Sequence, residues 1–331
     1  MISGAALRCE PIRMWGNYVT MTPRPGGAVT RPSRARVPGR VGGEVHVVKF
    51  ALTLGVVNPK HWVTVTEEAD RLGFDSMWLP EHLVLPVDMG GSPHDGQDHP
   101  PIPSGIPVFD ALSALNFLAA RTTRIRFGTY VYNIGLRHPF VTARAAATLD
   151  VFSGGRLDFG IGASWLRAEW EAVGLDFDTR GARVDEAIEV CRRLWSQEVV
   201  EHHGRFFDFA PVMFEPKPVQ QPGPRLHIGG DGPAALRRAA TVGDGWIPMN
   251  HSLEELPAAV AKLAELRKRA GRETPVEVTC GGTPTSVADV DRFAEAGIDR
   301  LIVTPWPRSR DAIEGMREFA ATHGLTGDAD A

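Results

Sequence analysis

Glu81 and His82 stand side by side directly after Pro80, at the end of the run FDSMWLPEH (Phe74–His82). An imidazole can hydrogen-bond a heterocycle or shuttle a proton near neutral pH, which makes His82 the first candidate for acid–base work. The competing reading is a loop cap at His82 and a surface arginine pair at Glu81. A second candidate is IGGDGPAALRRAA, in which Gly229, Gly230 and Gly232 lead to Pro233. A strand, a glycine turn and a proline in the first helical turn would aim backbone N–H groups and the helix dipole at an anion such as a phosphate. The same residues also read as a tight turn with Asp231 as N-cap. The third is GIGASWLRAEW: Gly160, Gly162 and Ala163 let backbone approach a ligand, Ser164 lies in the same turn, and Trp165 is placed to cover it.

The insert GGSPHDGQDHPPIPSGIP (90–107) carries His94, Asp95, Asp98 and His99. These are residue types that ligate metals. A Gly/Pro-rich segment holds ligands rigidly only where the fold packs it, so a lid over the site is preferred and no metal is assigned.

Elements must bring these residues together. VVKFALTLGVV (Val47–Val57) is near-continuously apolar, as in a strand buried on both faces. PKHWVTVTEEADRLG then places Trp62, Val65, Ala69 and Leu72 on one helical face, with Gly73 as a stop. Strands recur at FDSMWLP, RIRFGTYVY, RLDFGIGA, RLHIGG, GWIPM, VEVTCGG and DRLIVTP, separated by helical patterns. The segment EVVEHHGRFFDFAPVMFEPKPV reads as an inserted hairpin. Eight strands joined by helices predict an α/β fold, a (β/α)8 TIM barrel with insertions, whose ligand-binding loops follow the strands. An open doubly wound sheet is the weaker alternative, because GVVNPKHW after the first strand lacks a dinucleotide fingerprint.

The 331 residues carry a net charge of −4 with 43% hydrophobic residues, and no apolar run spans a bilayer. A soluble protein with no membrane partner is expected. Residues 1–49 hold eight basic and two acidic side chains, leaving an acidic body that argues against nucleic acid as a partner. Residues 1–46, rich in Pro, Gly and Arg, are expected to be a disordered basic extension, and 47–331 a single domain. Three scattered cysteines suggest a reducing, cytoplasmic compartment.

The motifs EEADRLGFDSMWLPEH, LRHPFVTARAAATLDVFSGGRLDFGIGASW, Glu169-Trp170, RGARVDEAIEVCRRLW and HIGGDGPAALRRAATVGDGWIP occur in order with matching spacing. From about Val48 onward the chain thereby resembles the bacterial luciferase-like flavin-dependent oxidoreductases, closest to the actinobacterial branch assigned to coenzyme F420. The resemblance implies a cofactor lying across the carboxyl ends of the strands, F420 or alternatively FMN. It matches His82 to a residue near the reactive edge of the ring. Tyr130 and Val131 match a bulge that holds a non-proline cis peptide in relatives, Gly229, Gly230 and Gly232 match a phosphate turn, and Met249 and Asn250 a second loop near the phosphate. It also implies a homodimer or homotetramer acting on a small organic substrate.

One departure stands out. Deazaflavin-dependent sugar-phosphate dehydrogenases of the family place a proton-donating glutamate where this chain has Trp165, so a sugar phosphate is not expected. Glu169, one helical turn on, either substitutes or anchors the loop, and the anchor is preferred. The expected activity is hydride transfer between F420 and an organic substrate, or FMNH2-dependent monooxygenation of the alkanesulfonate monooxygenase type. More distant readings are a metal-dependent hydrolase using His82, His94 and His99, and a non-catalytic flavin-binding barrel.

Overall fold

The computed structural model describes residues 37–41, 44–87, 105–282, 284–325 and 327 of the chain, all within the compact unit Arg34–Ala331. The basic extension before residue 37 and His94, Asp95, Asp98 and His99 of the insert lie outside the described residues.

An N-terminal strand β1 (Val37–Val41) turns back on β2 (Glu44–Thr53), with Val37 opposite Val48 and Val41 opposite Glu44. Regular pairing therefore begins ahead of the Val47 boundary expected from the sequence, because VPGRV is too poor in apolar residues to read as a strand. Then follow α1 (Trp62–Leu72), β3 (Ser76–Leu79), α2 (Ala111–Ala119), β4 (Arg126–Thr129), the short β5 (Tyr132–Asn133) and α3 (Pro139–Ser153). Next come β6 (Leu157–Gly162), α4 (Arg167–Ala172) and α5 (Arg180–Ser196). The antiparallel pair β7 (Val199–His203) and β8 (Asp208–Met213) forms the expected hairpin. The last four units are β9 (Arg225–Gly229) with α6 (Pro233–Thr241), β10 (Gly245–Ile247) with α7 (Leu256–Arg269), β11 (Glu277–Gly281) with α8 (Val287–Glu295), and β12 (Arg300–Val303) with α9 (Ala312–Thr322).

Eight parallel strands close the barrel in the order β2, β3, β4, β6, β9, β10, β11, β12 and back to β2. The local sequence explains the units. In α1, Val65, Thr66 and Ala69 face inward, and Gly73 ends the helix at φ 87°, donating its N–H to the Ala69 and Asp70 carbonyls. A left-handed residue there favours glycine, which has no Cβ to clash.

The barrel interior is layered. Near the amino ends of the strands, the fully buried Arg300 guanidinium donates to Asp75 (2.8 Å) and Asp158 (3.2 Å) and is ion-paired with Glu277 at 2.5 Å. Arg126 also grips Asp158, at 2.6 Å. Burial alone would raise the Asp158 carboxyl, but Arg126, Arg300 and Arg225 hold it well below the usual carboxylate range. Side-chain atoms of Asp158, His227 and Glu277 lie within 4.8 Å of one another, close enough for a metal. The guanidinium already neutralises two of these three, and Lys49, Arg126 and Arg225 surround them, so a divalent cation would enter a site already supplied with positive charge. Above this layer Ala51, Trp78, Ile247 and Ile302 form an apolar plug on which Tyr130 and Val131 pack.

Arg300→Met should leave three carboxylates buried without their common partner. A loss of about 3–5 kcal/mol in urea unfolding is expected, and a loss below about 1 kcal/mol would contradict the role given to this layer. His227 is fully buried, and burial pushes its imidazole down from 6.5 to about 4. A group held neutral in the fold contributes stability that is complete above pH 6.5 and lost as pH falls toward 4. His227→Gln should remove that part of the decline over this interval, read from denaturation midpoints against pH.

Candidate active site

The loops that leave the strand carboxyl ends gather the residues singled out by the sequence. Pro80 ends β3, and Glu81 and His82 follow in opposite roles. Glu81 is buried, and both its oxygens are committed: one accepts the Asn133 N–H at 3.0 Å, the other the Arg137 guanidinium at 2.5 Å. Burial raises the Glu81 carboxyl despite these two donors. Its partners are thus internal, and it ties the β3 loop to the end of β5.

His82 is the partly exposed member of the pair. Its Nδ1 faces Glu169 Oε2 at 3.2 Å, and its ring lies edge to face with Trp165 at 6.2 Å. Glu169 is fully buried on α4 and accepts the backbone N–H groups of Leu83 (2.6 Å) and Val84 (3.4 Å), with the Ser164 hydroxyl at 3.4 Å. The carboxylate therefore pins the β3 loop and orients the imidazole together. This fits the anchoring role expected of Glu169. With Nδ1–H donated to the carboxylate, Nε2 is left for a ligand and has no partner among the described residues.

At the end of β4 the Tyr130–Val131 peptide is cis, as the resemblance implied. The packing around it gives the neighbouring glycines a reason that the sequence did not supply. A Cβ on Gly162 would stand 2.7 Å from Val131 Cγ2, and one on Gly229 would stand 2.8 Å from Cγ1. Both are closer than carbon atoms tolerate. The two glycines, one on β6 and one on β9, thus admit the Val131 isopropyl group between the strand ends. Their signal was present as small residues at matching strand positions, but the residue requiring the space lay on a third strand. Tyr130 reaches across the mouth toward Cys280 and Asp231, and burial pushes its phenol up to about 12, so it stays protonated at neutral pH.

Gly230 adopts φ 113° and donates its N–H to the Ile247 carbonyl at 3.1 Å. That N–H is spent on β10, leaving those of the first turn of α6 for an anion. Gly232 is the N-cap, the place suggested for Asp231. Asp231 instead accepts from the Met249 N–H (2.9 Å), the Asn250 side-chain amide (3.0 Å) and faces His251 Nδ1 at 3.0 Å. It latches the β10 loop to the glycine turn and so brings Met249 and Asn250 beside Gly230. A Cβ on Gly232 would meet no protein atom within 4 Å. Internal packing does not require that glycine, and the open space above a helix start suits a phosphate. The residues present thus fit a flavin or deazaflavin: a bulge backed by packed side chains, a histidine at one edge, and a helix start with room for a phosphate.

Comparison with known proteins agrees with this architecture. The family model described as luciferase-like monooxygenase matches residues 37–330. An uncharacterized protein of Mycobacterium tuberculosis (strain ATCC 25618 / H37Rv) is 31% identical over 255 residues, covering 77% of this chain and 85% of that protein. A phthiodiolone/phenolphthiodiolone dimycocerosates ketoreductase of Mycobacterium sp. (strain JLS) is 33% identical over 194 residues, covering 57% of this chain and 50% of the relative. Among solved structures, an F420-dependent secondary alcohol dehydrogenase in complex with an F420-acetone adduct superposes with a TM-score of 0.67 at 19% identity, over 83% of this chain and 98% of that one.

The wedge of Val131 between two glycines yields a double-mutant test. Gly162→Ala should destabilise the protein by about 1–3 kcal/mol through overpacking. The same change in a Val131→Ala background should cost well under half as much, because the contact it meets is gone. Equal costs in both backgrounds, measured by chemical denaturation, would show that Val131 is not what excludes the Cβ.

Proposed function

The chain belongs to the luciferase-like monooxygenase family, and from that premise we propose that it binds the deazaflavin F420 across the barrel mouth and transfers a hydride between it and an organic substrate. The observation that carries this reading is His82 held by the buried Glu169 at the edge of a bulge flanked by Gly162 and Gly229. Tyr130, Val131, Ala163, Ser164 and Trp165 would hold the ring. The first turn of α6, with Gly230 and Gly232, would hold the phosphate, together with Met249 and Asn250, which Asp231 fixes beside that turn.

When bound, the cofactor supplies the hydride. The chain does the rest. Glu169 fixes the orientation of the imidazole through its Nδ1 contact and leaves Nε2 aimed at the substrate. His82 Nε2 gives a proton to the substrate oxygen in reduction and takes one in oxidation. The ketoreductase relative supports a reductive direction. A second reading, FMNH2-dependent monooxygenation, is favoured by the family description itself and would use the same bulge and phosphate turn.

Fluorescence titration of the full chain with F420 and FMN, beside their phosphate-free counterparts, tests both readings. Preferential F420 binding is expected, with FMN preference directing the search to oxygen consumption and binding of neither overturning the cofactor site. Gly232→Val keeps an allowed backbone and fills the open space. It should weaken the phosphorylated cofactor about tenfold or more and leave the phosphate-free one within about twofold. His82→Gln should leave cofactor affinity near wild type and lower turnover about 100-fold, within the range of a lost general acid.

A further inference from the structure

Beside His82 lies a groove of about 540 Å³, between the loop that follows β2 and the loop that follows β3. Such a volume is typical of small-molecule sites. Its described walls are mostly apolar: Val56, Val57, Trp62, Leu85, Ile106 and Phe109. Trp62 and Phe109 meet edge to face at 5.0 Å and make one wall rigid. Val56 (57% exposed), Ile106 (41%) and Phe109 (43%) leave apolar surface facing solvent.

Most of the polar groups that line the groove are already satisfied by the chain. The Trp62 indole N–H donates to the Val57 carbonyl at 2.9 Å. Asn58 Oδ1 accepts the Lys60 N–H at 3.1 Å. The Ser309 hydroxyl accepts the Asn58 N–H at 2.9 Å and donates to the Val56 carbonyl at 3.3 Å. Glu81 is occupied by Asn133 and Arg137. No lysine or arginine lines the groove among the described residues. An anionic group placed here would lose its hydration, and the one cationic side chain it could meet, His82 when protonated, is already paired with the Glu169 carboxylate. What remains for a ligand is apolar wall and two polar contacts, His82 Nε2 and the Asn58 side-chain N–H groups.

We propose that this groove is the substrate subsite and that it selects uncharged molecules with an extended apolar body and a single acceptor oxygen, such as a ketone, presented to His82. Its assignment to substrate rests on the His82-centred redox reading above. Sulfonates, carboxylates and phosphate esters are disfavoured by the same walls.

The test uses the full chain without cofactor, following tryptophan fluorescence as 2-alkanones of four to ten carbons and alkanesulfonates of equal length are titrated. Alkanone affinity should rise about fourfold per added methylene until the groove is filled, and sulfonates should bind at least tenfold more weakly. Val56→Lys, at an exposed position, should lower alkanone affinity about tenfold and strengthen sulfonate binding, with cofactor titration unchanged. Sulfonates binding as tightly as alkanones, no dependence on chain length, or no effect of Val56→Lys would each overturn the proposal. Failure of the cofactor reading appears separately, as loss of F420 and FMN binding with the alkanone series intact.

Discussion

One guanidinium organises this barrel. Arg300 begins β12 and is paired with Asp75 ahead of β3, Asp158 on β6 and Glu277 on β11. Elements distant in sequence thus converge on a single charge that cannot leave. Three carboxylates inside an apolar shell are tolerable only while their counter-ions are fixed. The registry of these strands is therefore coupled to the ion layer, and that layer supports the Trp78 ring, with the Arg300 guanidinium 5.5 Å from its centroid. Gly128 has no Cβ because the Trp78 ring takes the place: an added Cβ would fall 2.3 Å from ring carbon Cε3. The floor of the mouth is set from below.

Upon that floor the site is assembled by carboxylates that each serve several loops. Glu81 joins the β3 loop to β5 and its following turn, Glu169 joins the same loop to α4, and Asp231 joins the β9 turn to the β10 loop. In each case backbone N–H groups that would face water in an isolated loop are accepted by a buried or half-buried oxygen. Loops braced in this way are pre-organised, which matters where positioning supplies much of the catalytic effect.

Much of this was legible in the sequence, and for physical reasons. Strands buried on both faces are apolar along their whole length, so all eight stood out, and the hairpin showed through its alternating, aromatic-rich flanks. The mouth residues could be placed because a parallel barrel puts its loops at one end. Pairwise meanings were not legible. Gly162 and Gly229 looked like ligand-facing backbone, whereas the space they open is taken by Val131 from a third strand. Asp231 looked like an N-cap, whereas its acceptors' partners lie on a loop some twenty residues later. The ionic layer left no local trace, since Arg300 and its partners sit singly within apolar strands. The walls of the groove were equally silent, because Val, Ile and Phe at loop positions carry no motif.

The two ends of the barrel interior answer to different constraints. At the amino ends of the strands, a change of one charged residue disturbs partners on several strands. Around the groove, Val56, Ile106 and Phe109 are half open to solvent and take no part in that layer. Substitutions at separated sites of this kind act nearly independently, and those at exposed positions rarely approach the stability threshold. Over evolutionary time the scaffold can therefore hold its cofactor geometry constant while the groove walls drift. Ligand preference would diversify among homologues faster than the barrel that carries it.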